Sequence, residues 1–161
     1  MTTPIRNAPA SVNDIDIDVL EDTLSFYIRS INIAVSRDLD EKLEGLDVAQ
    51  GTGKITTLFL VDVNPGIRPS TIAQVILKDR SAMGRLVDQM EEHGLLRRDI
   101  APEDSRAQAL YITDKGSELA AHVRKLVTVQ SREFFSDMTD EEHGLVLDIL
   151  RRAYRRILER S

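Results

Sequence analysis

The sequence predicts a mainly α-helical fold with one small β-hairpin, and three observations support this. Apolar residues recur every three or four positions over most of the chain, which is the spacing of amphipathic helices. Two short runs that alternate apolar and polar residues flank a polar, proline-containing loop, which is typical of a hairpin. Trp is absent and aromatic residues make up only 4% of the 161 residues, so the core has to be aliphatic.

The composition excludes several classes of protein. No run of 18 apolar residues is present, so we expect no helix that spans a membrane. The first 20 residues lack the apolar region of a signal peptide, and we therefore expect a cytoplasmic protein. The absence of cysteine excludes disulfides, thiolate metal sites and cysteine-based redox sensing.

The net charge of −6 comes entirely from residues 1–65, which hold 5 basic and 11 acidic residues. Residues 66–116 hold 8 of each sign, and so do residues 117–161. A surface for a polyanion would therefore have to come from clustered basic residues, with the acidic residues turned away.

The N-terminal part predicts an arm and one long helix. Residues 1–13 contain two prolines and no periodicity, and we interpret them as a flexible arm. Residues 14–46 predict a single amphipathic helix, with acidic residues at its start, where the helix dipole favours them, and Gly45 at its end. Its apolar positions are Leu20, Leu24, Tyr27, Ile28, Ile31, Val35, Leu39 and Leu43.

Residues 47–116 predict shorter elements. The run ITTLFLVDV (55–63) is rich in β-branched residues, but its surroundings favour a helix, and NPG (64–66) is a turn. Pro69 suits the first position of a short helix that runs to Leu77, because the N–H it lacks would be unpaired there. That helix has an apolar face made of Ile72, Ala73, Ile76 and Leu77.

Asp79 is a good N-cap for the next helix, which ends at Gly94. Its inward face is predicted to be Met83, Leu86, Val87 and Met90. The runs LLRRDI and QALYIT then form a hairpin around the loop APEDSRA.

Two further helices complete the chain. Thr113 or Asp114 caps one that runs to about Asp137, and Thr139 with Glu142 forms a capping box for the last. The last helix carries an apolar stripe of Leu145, Val146, Ile149, Leu150, Ala153, Tyr154, Ile157 and Leu158. This stripe could be intrachain core, but it offers more apolar surface than one small domain can cover, which favours an interface between two copies.

Two short helices followed directly by a β-hairpin are typical of a winged helix-turn-helix, whose second helix enters the DNA major groove. Arg80, Ser81 and Arg85 lie on the polar side of that helix, opposite its apolar face. Ser70 and Thr71 lie in the first turn of the preceding helix, where hydroxyls can bind a phosphate. Double-stranded DNA is the partner that this arrangement predicts.

Residues 79–116 resemble the recognition helix and wing of the MarR family of transcriptional regulators. The most specific pieces are RLVDQMEEHGLL, the wing PEDSRA and the helix start YITDKG, and weaker similarity covers roughly residues 18–160. The resemblance implies a winged helix-turn-helix (47–116) flanked by N- and C-terminal dimerisation helices (14–46 and 117–161). It also implies a regulator, most often a repressor, and no enzyme.

The resemblance further implies an obligate homodimer on a pseudo-palindromic site, released by a small aromatic or phenolic effector, with no cofactor and no metal. In the wing it implies that Asp104 pairs with Arg106, which enters the minor groove. The dimer residues that it implies are Leu20, Leu24, Leu145, Ile149, Leu150, Tyr154 and Ile157.

The chain departs from the family pattern in three places. Arg68 stands where a threonine N-cap is common, and Ala82 and Gly84 replace small hydroxyl residues of the recognition helix. The lack of cysteine excludes the peroxide-sensing mechanism of one branch of the family.

Other interpretations stay open at this point. Arg85 could be a solvated arginine paired with Asp88 or Gln89, and at most one of Arg97 and Arg98 can face DNA, because they alternate on a strand. The winged helix could serve mainly as a protein–protein interaction module. The three histidines are too scattered for a catalytic or metal site, and GTGK (51–54) lacks the rest of a phosphate-binding loop.

Overall fold

The computed structural model describes residues 11–101 and 104–160, excluding the side chains of residues 52 and 104–106. Two 3₁₀ turns precede the helices and strands. The helices are α1 (Leu24–Lys42), α2 (Thr52–Val63), α3 (Pro69–Val75), α4 (Arg80–Glu92), α5 (Asp114–Phe134) and α6 (Asp140–Leu158), and the strands are β1 (Leu96–Ala101) and β2 (Asp104–Ile112). Within these residues, no helix combines the length and the apolar character needed to cross a membrane.

Two compact units divide the chain, residues 1–35 and residues 36–161. In the first unit, the prediction of a helix that starts at Asp14 is wrong, because α1 begins only at Leu24. The Asp16 carboxylate accepts a hydrogen bond from the Asp18 N–H (2.9 Å), and Asp18 has a φ of 52°. Short acidic side chains that bond nearby backbone N–H groups compete with the helix, and here they replace it with turns.

The core of the second unit is aliphatic, as predicted. The inward face of α4 is confirmed, since Met83, Leu86, Val87 and Met90 are all buried. The remaining fully buried side chains of the core come from α2, α3, α5, the hairpin and the segment before α2: Leu43, Val48, Leu58, Val61, Ile72, Leu95, Leu96, Leu110 and Val123.

The predicted hairpin is confirmed, with β1 antiparallel to β2 and Leu96 opposite Ile112. A third short segment, which the sequence did not reveal, pairs with it. Gly66 donates its N–H to the Leu110 carbonyl (2.8 Å), and the Leu110 N–H donates to the Ile67 carbonyl (3.0 Å). These bonds fix the start of α3 against the wing strand β2.

The predicted starts of the last three helices are also confirmed. Asp79 caps α4, Thr113 caps α5, and Thr139 forms a reciprocal capping box with Glu142 at the start of α6. The end of α5 lies at Phe134, slightly before the predicted one.

The predicted end of the short helix at Leu77 is wrong, because α3 ends at Val75 and Leu77 does not extend its apolar face. The Lys78 N–H bonds to the Ala73 carbonyl (2.9 Å), and Leu77 takes a φ of 55°. A helix end closed in this way needs a left-handed residue at that position, which turns its side chain away from the helix face. Leu77 is consequently 53% exposed.

Candidate nucleic-acid interface

Helix α3 presents its first turn to solvent. Arg68 precedes it in extended conformation without a side-chain hydrogen bond that caps the helix, and Pro69 takes the first helical position, as the sequence indicated. Ser70 and Thr71 are exposed, so their hydroxyl groups are accessible to a ligand.

Helix α4 is held at its start by Asp79, whose carboxylate accepts the Ala82 N–H at 2.7 Å. This backbone hydrogen bond holds the pKa of the Asp79 carboxyl below its ordinary value. The outer face of α4 then carries Arg80, Ser81 and Arg85, all exposed.

Arg85 has a partner on its own helix. Its Nη1 donates to Ser81 Oγ at 2.8 Å, one turn earlier. The alternative pairing with Asp88 does not occur, because Asp88 accepts from Arg98 instead. The guanidinium of Arg85 is therefore oriented along the exposed face by a neutral hydroxyl, and its charge is not neutralised by this contact.

Arg98 and Arg97 have different environments, as expected for neighbours on a strand. Arg98 bonds Asp88 and also donates through Nε to Glu91 (2.9 Å), which ties β1 to α4. Arg97 lies over the Tyr111 ring, 4.6 Å from its centroid. Two of the three acidic residues of α4, Asp88 and Glu91, are thus paired with β1, whereas Glu92 is exposed.

Between α3, α4 and β2 lies an open groove of about 560 Å³. It brings Ser70 and Arg80 together with Gln108, an exposed residue of β2 that the sequence analysis did not single out. Gly84 also borders the groove, and a Cβ added there would meet open space.

The charges of residues 66–116 are segregated, as a polyanion-binding surface would require. Among the described residues, no ion pair involves Lys78, Arg80 or Arg85. Asp88 and Glu91 are paired with Arg98, and Asp79, between Lys78 and Arg80, accepts the Ala82 N–H as the cap of α4. A segment of zero net charge therefore exposes three basic side chains that form no ion pair with any described residue.

The predicted wing pair falls at the limit of the described residues. β2 begins at Asp104, which lies opposite Ala101 in the register, whereas the side chains of Asp104 and Arg106 lie outside the described residues.

Comparisons with known proteins match this arrangement. The model of the MarR family matches residues 53–107. A putative transcriptional regulatory protein for the hcr operon of Thauera aromatica is 31% identical over 132 residues, covering 82% of this chain and 79% of the relative. The chain belongs to the MarR family.

Solved structures support the same fold. A mutant of MarR from Escherichia coli complexed with operator DNA has a TM-score of 0.76 at 22% identity, covering 86% of this chain and 99% of that one. CouR from Rhodococcus jostii RHA1 bound to p-coumaroyl-CoA has a TM-score of 0.74 at 22% identity, covering 84% and 94%. The winged helix-turn-helix fold is thereby confirmed. The family model and the relative from Thauera aromatica confirm the prediction of a MarR-type transcriptional regulator.

The residues expected at a MarR dimer interface are all exposed in the single chain. They are Leu20, Leu24, Leu145, Ile149, Leu150, Tyr154 and Ile157. The stripe on α6 is therefore not intrachain core. Tyr154 has an additional partner that the sequence did not indicate, since its hydroxyl donates to the carbonyl of Val75, the last residue of α3, at 2.7 Å.

Proposed function

We propose that this protein is a homodimeric, sequence-specific DNA-binding repressor that acts in the cytoplasm and is released from DNA by a small molecule. The observation that carries the proposal is the outer face of α4, where Arg80, Ser81 and Arg85 are exposed while Asp88 and Glu91 of the same helix bind Arg98. Duplex DNA offers the phosphates and base edges that such a face can bind.

The residues divide into two roles. Arg85 and Arg80 reach base edges in the major groove, because an arginine can bind guanine O6 and N7 together. Ser70, Thr71 and Ser81 bind phosphates and set the register of the protein on the duplex. On the wing, Asp104 holds Arg106 in the orientation that enters the minor groove, whose negative potential attracts arginine where the groove is narrow.

The dimer forms through exposed apolar residues near both ends of the chain. These are Leu20 in a 3₁₀ turn, Leu24 at the start of α1, and the stripe on α6. Residues 47–116 are the DNA-binding domain, residues 14–46 and 117–161 the dimerisation region, and residues 1–13 an arm. Two-fold symmetry then places two winged helices on a pseudo-palindromic operator.

The effector that we propose is aromatic or phenolic. Support comes from CouR, a structural neighbour that binds p-coumaroyl-CoA, a phenolic thioester. A ligand releases DNA only if it binds the DNA-free conformation more tightly than the DNA-bound one.

Footprinting on the DNA that flanks the protein's own gene tests the proposal, together with binding measured over a salt series. We expect a two-fold footprint with half-site centres about 10 bp apart or a multiple of it, and affinity that falls steeply with salt as counterions are released. A winged helix that serves as a protein–protein module would show neither a footprint nor a salt slope, and that result would overturn the proposal.

A further inference from the structure

A second hollow, distinct from the groove, lies between the start of α2 and the outer face of α4. Its volume is about 270 Å³, and it is lined by Gln50, Gly53, Lys54, Lys78, Arg85 and Gln89, among others. Three of its lining residues carry positive charge, and no carboxylate lines it.

The side chain of Lys78 packs against Gly53 at the edge of this hollow. A Cβ added at Gly53 would lie 2.9 Å from Lys78 Cε, so the end of the lysine side chain packs directly against this glycine and would have to shift if a Cβ were added. The GTGK segment does not form a phosphate-binding loop of the nucleotide type. Its second glycine instead lets the end of the Lys78 side chain lie against the start of α2.

The other two cations keep hydrogen-bond donors available. Lys54 Nζ donates to the Ala49 carbonyl at 3.4 Å, a long bond that uses one of three N–H groups. Arg85 uses one of its five donors on Ser81.

Asp79 attracts Arg85 and Lys78, and Asp47 attracts Lys54, but neither carboxylate forms an ion pair with these cations. The Asp79 carboxylate accepts the Ala82 N–H, and the Asp47 carboxylate pairs with Lys115 at 2.8 Å. Cations gathered around a small hollow repel one another, and a bound anion removes that cost. An oxyanion with several acceptor oxygens fits the donors that remain.

We propose that this hollow binds one backbone phosphate of the operator duplex in each half-site, with Lys54 and Lys78 as its main ligands. The inference rests on the proposed function, because Arg85 belongs both to this hollow and to the base-reading face of α4. DNA that lies along α4 therefore passes the rim of the hollow, and the surface of the protein that contacts DNA extends from α4 to the start of α2. Since the ligand is a phosphate, the site adds affinity without sequence preference.

The test uses Lys54→Gln, Lys78→Gln and the double variant of the full-length protein, with Lys125→Gln on α5 as the matched control. Lys125 is also exposed, but it lies outside this hollow. Each variant is titrated with operator and with an unrelated duplex of equal length at several salt concentrations. We expect Lys78→Gln to weaken both complexes by the same factor, about 3- to 10-fold, and the double variant to lower the salt slope by about 0.9, the value of one phosphate.

Three further experiments test where the anion binds and whether it is a phosphate of the DNA. Neutral methylphosphonate at a single position of the operator should weaken binding by wild type but leave the double variant unaffected. Gly53→Ala keeps the charge of Lys78 and displaces only the end of its side chain, so it should weaken both complexes less than Lys78→Gln does. Titration with inorganic phosphate by NMR, following residues around the hollow, separates a site for free anions from a site for DNA.

An unchanged salt slope in the double variant, with operator binding intact in wild type, would overturn this inference and leave the proposed function standing. Tight binding of inorganic phosphate without a change in the slope would also overturn it, by assigning the hollow to a free anion. If wild type itself showed neither operator preference nor a salt slope, the proposed function would fail.

Discussion

At Gly116 the first turn of α5 passes directly over the backbone of Leu95. A Cβ added there would lie 2.0 Å from the Leu95 carbonyl oxygen, and backbone cannot move aside as a flexible side chain can. Gly116→Ala should therefore lower the free energy of unfolding by about 1–3 kcal/mol or more.

The matched control for Gly116 is Gly84→Ala on α4, where the added methyl group meets open space. This substitution should raise the free energy of unfolding by up to about 1 kcal/mol, because alanine is the better helix former. Urea unfolding of both variants compares the two directly. Equal stability of Gly116→Ala and wild type would show that α5 can shift away from Leu95.

Arg85 should read a base rather than a phosphate. Arg85→Ala should cost about 1–3 kcal/mol of operator binding and relax the preference at one position in each half-site. Ser81→Ala, which removes only the hydroxyl that orients Arg85, should have a smaller effect at the same position. Selection from a randomised operator library measures both, and a uniform loss over all sequences would reassign Arg85 to the phosphate backbone.

Single residues also show where prediction from the sequence stops. The outward position of Arg85 follows from helical spacing, but its partner does not. Asp88 was available by spacing, and the structure instead pairs it with Arg98, ten residues away on a strand. Helical periodicity predicts which residues are neighbours on the same helix. It does not predict which strand will pack beside that helix.

At the scale of helices and strands, the sequence predicted those features that depend on contacts between residues close together in the chain. The caps Asp79, Thr113 and Thr139 were predicted because each acts within three residues. The start of α1 was not predicted correctly, because the acidic residues before it are compatible both with a helix N-terminus and with the turns that they form. The bridge from Ile67 to Leu110 spans 43 positions of sequence and left no local pattern.

The bond from Tyr154 to Val75 links α6 to the end of α3, so it joins the proposed dimerisation helix to the proposed DNA-binding domain. Tyr154→Phe should leave the dimer intact but speed hydrogen exchange of the Leu77 and Lys78 amides. It should also weaken operator binding about 3- to 10-fold, because the lost hydrogen bond is worth about 1 kcal/mol. Tyr27→Phe is the control, because Tyr27 also donates to a backbone carbonyl, that of Glu21. Identical exchange and affinity in the two variants would show that the bond does not position α3.

At the scale of the whole molecule, the exposed stripe on α6 is the feature that a single chain leaves unexplained. Ile149 is 46% exposed, so Ile149→Glu should not destabilise the isolated fold, yet it would place a charge within the proposed dimer interface. We expect monomers by analytical ultracentrifugation and operator affinity lower by roughly 100-fold, because the second half-site is no longer bound intramolecularly.

Val63→Glu, at the exposed end of α2, introduces the same charge away from the stripe and should leave the dimer unchanged. A dimeric Ile149→Glu protein with full operator affinity would remove α6 from the interface.

The clip formed by Arg98 with Asp88 and Glu91 has a consequence for the DNA as well as for the protein. It holds the wing against the recognition helix within one protomer. We therefore expect a fixed spacing between the bases that the wing contacts and those that the recognition helix contacts. The distance between the two protomers depends instead on the longer path through α5 and α6. Natural operators should therefore tolerate an inserted base pair at their centre far better than one inside a half-site.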